Sequence, residues 1–365
     1  MALPLPSLPF DLIVEILCRL PVKPLLRFRS VSKSWNSLIS DPKFAKMHRR
    51  CSPPDFTRHH LILGHTNSSN DFLLTDYPLL SVFNAAVPAA ATQLDYPLNN
   101  PYRFDSIVGS CDGILCLSID QSRSAVVWNP STRIFKNLPP LENPQLQGSC
   151  TLFGFGYDNL ADRYKVVAVF CYKTVTGGYR KYKTDDGEFY KTLVRVHTLG
   201  TNSWREIQEF PLCVPFCRQT GRFVSGTVNW SASNESSWFI ISLDLGKESY
   251  RKLSPPDCGG VVWSLEVLRD CLCILYGDYD VCDVWLMKEY GNEESWTKLF
   301  SAPSPRELFA YDWALHITED DEVLLMFDSK FFLYNFRDNT LTSPQIQNIL
   351  GWIVPEVYVE SLISP

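Results

Sequence analysis

Four patterns in this 365-residue sequence have residue types that could do chemistry. Gly154-Phe155-Gly156 begins as a phosphate-cradling loop would, but the third glycine and the helix that must follow are missing. Glycines in such a run suit a turn or the close approach of two strands. Glu319-Asp320-Asp321-Glu322 offers carboxylates to a hard cation, yet it lacks the spacing of a calcium loop. It lies between two apolar runs, where polar residues turn a hairpin. Cys213 and Cys217 are separated by three residues and Cys271 and Cys273 by one, with no matching second pair or nearby histidine, so zinc is not expected. His48, His59, His60, His65, His197 and His316 are scattered, and no Gly-x-Ser-x-Gly elbow or Ser/His/Asp pattern stands out. The expectation is a chain with no catalytic, cofactor or metal site.

A fifth pattern suits recognition. The polar stretch 172–191 (YKTVTGGYRKYKTDDGEFYK) gathers lysines, Arg180 and tyrosines beside Asp185, Asp186 and Glu188. Read blandly, it is a solvated loop. Read functionally, it is a long loop on a rigid scaffold that touches a target protein. Tyr179, Arg180 and Tyr182 would then be the anchors, since Tyr and Arg dominate hot spots.

The scaffold is legible from residue 59 onward. Strand-like runs such as LILG, GILCLS, YKVVAVF, WFIISLDL, CLCILYG and EVLLMFD alternate with Gly, Pro, Asn and Asp turns, with no helix of any length between them. That density of short strands means an all-β body. A phrase recurs within it: a strand, a polar turn, an aromatic, two residues, Leu or Ile, then a proline. Its anchors are Phe135, Trp204, Tyr250, Trp296 and Leu341, separated by 69, 46, 46 and 45 residues. Removing the insert near 172–191 restores the period. Four short strands per 46 residues or so is the size of a propeller blade. Segment 59–85 and the final strand near Val357–Ser361 would pair to close one more blade and remove exposed edges. Six blades is the reading, although the opaque segment 86–103 leaves room for seven.

Charge and composition bound the rest. Residues 1–60 carry ten Lys or Arg against four Asp or Glu, a net of +6, while the remainder carries −12. A basic head on an acidic body suits an acidic partner. DNA is disfavoured, because the basic residues surround a leucine-rich core and no helix shows an Arg/Asn/Gln face for base reading. No run of eighteen uncharged apolar residues appears, so no membrane span is expected. The opening MALPLPSLPF lacks a basic region and is broken by prolines, which argues against a signal peptide. Twelve cysteines then read as reduced, mostly buried thiols of a cytoplasmic or nuclear protein.

The head itself, residues 1–50, reads as short helices joined by a polar linker at 51–58 to the body at 59–365. Leu12, Ile13, Ile16, Leu17 and Leu20 recur at helical spacing, and Pro21 ends the run. A second helix is expected at about Pro24–Phe28, a third after Ser32 as N-cap, and a fourth after Asp41-Pro42 with Phe44 and Met47 inward. So small a bundle cannot bury this much apolar surface by itself. The surplus docks either on the remainder of the chain or on a partner.

Leu8-Pro9, Glu15-Ile16-Leu17, Arg19-Leu20-Pro21-Val22-Lys23, Leu25-Leu26-Arg27-Phe28 and Val31-Ser32-Lys33-Ser34-Trp35 resemble the F-box of plant F-box proteins. Pro24 departs from the Ser or Ala more usual there. GSCDGILCL at Gly109–Leu117, FGFGYD at Phe153–Asp158 and RYKVV at Arg163–Val167 resemble the kelch-like F-box-associated domain. The resemblance implies a small all-α F-box followed by an all-β propeller. It also implies a non-catalytic substrate-recognition subunit of an SCF-type ubiquitin ligase. Leu8, Pro9, Leu12, Ile16, Leu17, Leu20, Pro21, Val22, Leu26, Val31 and Trp35 would contact the Skp-family adaptor and, through it, a cullin. Two rivals remain at this stage. One is a scaffold acting outside a ligase. The other is an enzyme, which would need polar groups of shifted pKa converging in the propeller's channel.

Overall fold

The computed structural model describes residues 9–51, 56–67, 69, 71–84, 86–96, 105–119, 124–142, 149–174, 189–211, 214–215, 220–233, 238–256, 261–277, 280–303, 313–327, 329–346 and 353–365. Four helices come first: α1 (Phe10–Cys18), α2 (Val22–Phe28), α3 (Lys33–Ile39) and α4 (Pro42–Arg50). Local chemistry sets their starts. The Ser32 hydroxyl accepts from the Trp35 amide at 3.2 Å, and the Asp41 carboxylate accepts from the Lys43 amide at 2.8 Å with Pro42 at the first turn. Both caps are where the sequence puts them. Pro24 falls within the first turn of α2, which tolerates it.

Six antiparallel sheets follow and form a six-bladed propeller. Ile353–Val359 pairs with His59–Thr66, register Leu61 against Val357, so the last strand completes the first blade. The strand Thr92–Gln93, within the opaque segment 86–103, is that blade's outer edge, and the described residues form six blades. Among the described residues, a five-residue helix, Leu79–Phe83, and a single 3-10 turn, Glu293–Ser295, interrupt the β body. The innermost strands, Ile353–Val359, Ser106–Cys111, Cys150–Asp158, Arg222–Val224, Val261–Leu268 and Trp313–Ile317, neighbour one another around a central channel. Gly154 and Gly156 are explained by that crowding. A Cβ at Gly154 would meet Val228 at 2.3 Å, and one at Gly156 would meet Phe223 at 2.1 Å. Close strand packing is their role.

The repeated aromatic has a physical meaning. Trp204 Nε1 donates to the Pro139 carbonyl at 2.7 Å, the Tyr250 hydroxyl to Gln208 at 3.1 Å, and Trp296 Nε1 to Ser254 at 3.0 Å. Each acceptor lies four residues beyond the preceding anchor, Phe135, Trp204 and Tyr250, so three successive blades are each latched to the one before. These rings are half-buried at the blade rim rather than in the core. Trp204→Phe or Trp296→Phe should each lower unfolding free energy by about 1 kcal/mol, the net worth of a hydrogen bond, in chemical denaturation.

Candidate functional site

The head has two sides. Its inner side carries Leu17, Val22, Leu25, Ile39 and Phe44, in one apolar cluster with ring residues Val108, Leu138, Leu362 and Ile363. The i,i+4 pair Ile13 and Leu17 turns inward, while Leu12 and Ile16, also four apart, turn outward. One stripe expected from spacing is therefore two. Polar clamps frame the junction. Arg49 meets Asp112 at 2.7 Å, and Lys46 meets Asp162 at 2.6 Å. The Lys46 ammonium and the Tyr157 hydroxyl hold Asp162 below the usual carboxylate range. Arg58, only 4% exposed, donates to the carbonyls of Arg19 at 2.8 Å and Leu20 at 2.9 Å, beyond the end of α1. His48 Nε2 lies 2.8 Å from the same Leu20 oxygen, and burial pushes that imidazole's pKa down. The short turn Phe56–Arg58 thus ends in a packed joint.

The outer side is open. Phe10 is 54% exposed, Leu12 46%, Ile16 52% and Val31 62%. Pro9 and Pro21 are also exposed, and Leu20, Leu26 and Trp35 are half-buried, with Trp35 edge-on to Phe28 at 5.6 Å. Two residues implied by the resemblance must be moved. Leu17 and Val22 are each 1% exposed and belong to the buried cluster shared with the ring, not to the open face. Met47, expected inward, is exposed, and His48 takes the inner position. Leu8 lies outside the described residues. Phe10 was missed; its signal was an aromatic side chain at the first helical position.

The turns that meet the head, at Asp112 and Asp162, join the innermost strand of a blade to the next. The insert leaves from the opposite end. Its flanking strands run Arg163–Thr174 and Phe189–Thr198, paired from Lys165 with Thr198 to Thr174 with Phe189. Twelve residues from Arg163 to Thr174 carry the chain roughly 36 Å, so Thr174 and Phe189 lie at the end of the blade away from the head. Tyr179, Arg180 and Tyr182 lie outside the described residues, as do Cys213 and Cys217.

The channel holds more than the sequence discloses. A cavity of about 530 Å³ is lined by Ser110, Arg222, Glu266, His316 and Glu356 among others. Arg222 bridges Glu266 at 2.8 Å and Glu356 at 3.3 Å, tying three blades across the axis. The Ser110 amide donates to Glu356 at 3.0 Å. Burial raises Glu266 to about 7 against the pull of Arg222, and raises Glu356 too. His59 and His316, distant in sequence, have ring centroids 5.2 Å apart. Such convergent groups of shifted pKa were to mark an enzyme, and they are present. Burial accounts for the raised carboxyls, and one guanidinium facing both carboxylates makes of them an interblade clasp. A carboxyl whose folded pKa is raised adds stability below its unfolded pKa and loses it as pH rises through the folded value. Wild type should therefore lose several degrees of melting temperature between pH 5 and about 8, and Glu266→Gln should flatten that decline.

Among the described residues, no helix is long and apolar enough to cross a membrane, and no group of three or more His, Cys, Asp or Glu could hold a metal. Glu319–Glu322 turns a hairpin, with Asp321 held by Arg269 at 3.0 Å and Arg337 at 2.7 Å. Cys273 is buried in a strand, and burial raises its thiol well above the usual range.

The chain is a six-bladed ring bearing a short helical head with an open apolar face. Comparison with known families is specific. Residues 5–47 match the F-box domain, and residues 73–365 match the F-box associated beta propeller domain. An F-box/kelch-repeat protein of Arabidopsis thaliana is 30% identical, over 98% of this chain and 96% of its own. The F-box protein CPR1 of the same plant is 25% identical, over 98% and 89%. Among solved structures, TolB from Acinetobacter baumannii superposes with a TM-score of 0.46 at 10% identity, over 84% of this chain and 67% of its own. The chain belongs to the F-box proteins that carry an F-box-associated propeller. Its role is substrate recognition of the SCF kind, with an F-box that implies a Skp-family adaptor.

Proposed function

We propose that this chain is the substrate receptor of an SCF-type ubiquitin ligase, acting in the cytoplasm or nucleus. Its F-box holds the Skp-family adaptor and, through it, a cullin. Its propeller holds a target protein for ubiquitination. One observation supports this most: the head's inner side is already packed on the ring, while Phe10, Leu12, Ile16 and Val31 remain open on the other. Apolar and aromatic side chains clustered at a patch centre are what a stable interface buries. The chain contributes placement rather than bond chemistry, and catalytic groups belong to other subunits. Holding the target beside the charged enzyme makes the second encounter intramolecular and raises effective concentration. The clamps at Arg58, Arg49 and Lys46 favour a stiff coupling of head to ring. Target contact is assigned to the ring face away from the head, where the insert bearing Tyr179, Arg180 and Tyr182 departs. Affinity purification with the proteasome blocked tests the reading. Wild type should retain adaptor, cullin and an accumulating target, whereas a chain lacking residues 1–50 should retain the target alone. Capture of a target without any cullin would instead identify a scaffold.

A further inference from the structure

A second cavity, of about 320 Å³, lies where the head meets the ring. From α4 it takes three cations, Lys46, Arg49 and Arg50, and the two arginines stand three and four residues beyond the lysine on one side of that helix. The ring answers with two carboxylates and two tyrosines. Lys46 and the Tyr157 hydroxyl both hold Asp162. Arg49, through Nε at 2.7 Å, and the Tyr164 hydroxyl, at 2.8 Å, both hold Asp112. Each carboxylate is thereby matched by one cation and one hydroxyl. Arg50 is left over, and among the described residues it enters no hydrogen bond or ion pair. The lining therefore carries three positive charges against two negative ones. Its walls are aromatic and apolar: the rings of Tyr157 and Tyr164 lie 4.9 Å apart, and Phe223 and Ile363 stand beside them.

We propose that this seam cavity binds a small aromatic carboxylate, its anion on Arg50 and the terminal amino groups of Arg49, its ring against Tyr157 and Phe223. One negative charge neutralises the surplus, whereas a phosphate dianion would overshoot it. The planar fork of a guanidinium matches the two oxygens of a carboxylate, and the Asp112 pair, made through Nε, leaves the Arg49 fork unused. An aromatic ring packs offset or edge-on against tyrosine and phenylalanine. Small ligands favour concave sites at domain junctions, with apolar walls and a few placed polar groups. Basic residues in the last turn of a helix also suit its dipole, but that role calls for neither a cavity nor an aromatic wall. The occupant touches head and ring together, so binding tightens the joint between them. The site lies beyond the receptor reading and stands whether or not the adaptor docks.

The test is a ligand-observed NMR titration of the full chain with benzoate, beside acetate, benzamide and phenyl phosphate, and a thermal melt of each variant. Benzoate should bind and raise the melting temperature as it saturates the chain. Benzamide keeps the ring without the charge and acetate the charge without the ring, so each should bind at least about tenfold more weakly. Arg50→Gln should weaken benzoate by a similar factor while its own melt stays unmoved, because this arginine has no partner to lose. Arg50→Lys, which keeps the charge but not the fork, should fall between the two. Absence of benzoate binding, or equal affinity in wild type and Arg50→Gln, would overturn the proposal. So would benzamide or acetate binding as well as benzoate, or phenyl phosphate binding more tightly, which would give the cavity to phosphates instead.

Discussion

Replacing Leu12 and Ile16 together by aspartate is expected to abolish adaptor binding while leaving the melting temperature within a degree or two of wild type. Both side chains are about half exposed, so the substitutions bury no charge and should change stability by less than about 0.5 kcal/mol each. At an interface centre, each apolar anchor is worth about 2 kcal/mol, and each aspartate adds desolvation. Together they should weaken binding by at least about 10³-fold, since 1.4 kcal/mol is tenfold. Titration of the purified adaptor by calorimetry, beside a thermal melt, reads both quantities. Leu17→Asp is a poor substitute, although Leu17 sits in the same helix. It would place a carboxylate in the head's core, and lost binding would then report unfolding. Retained binding by the Leu12 and Ile16 double variant would move the docking face elsewhere.

The second large effect concerns the joint. Arg58→Met should cost about 2–4 kcal/mol of head stability, because the carbonyls of Arg19 and Leu20 lose a buried charged donor while the methionine fills similar volume. The loss should fall on the head, since ring blades are latched independently. A melt followed by Trp35 fluorescence should show an early head transition, with the ring's strand signal in circular dichroism unmoved. One coincident transition at the wild-type temperature would mean that Arg58 does not couple the two parts.

The sequence disclosed what repeats and what caps. Trp204, Tyr250 and Trp296 announced the blades because each donates a hydrogen bond to the carbonyl four residues past the previous anchor. Ser32 and Asp41 announced helices because short polar side chains satisfy amides that nothing else reaches. Which face of α1 turns inward was not legible. Leucine and isoleucine suit a core and an interface equally, so Leu17 and Ile16 read alike until the ring's own Leu362 and Ile363 are seen to seal one of them. The channel clasp was hidden for a different reason. Arg222, Glu266 and Glu356 lie on three blades, and only closure of the ring brings them within 3.3 Å.

The central claim is that another protein's surface finishes the head's outer face. Amide hydrogen exchange of the full chain with and without the adaptor measures this directly. Protection should rise in residues 9–18 and around Val31, with the ring strands unchanged. Unaltered exchange across α1 in a saturated complex, or new protection confined to the propeller, would contradict it.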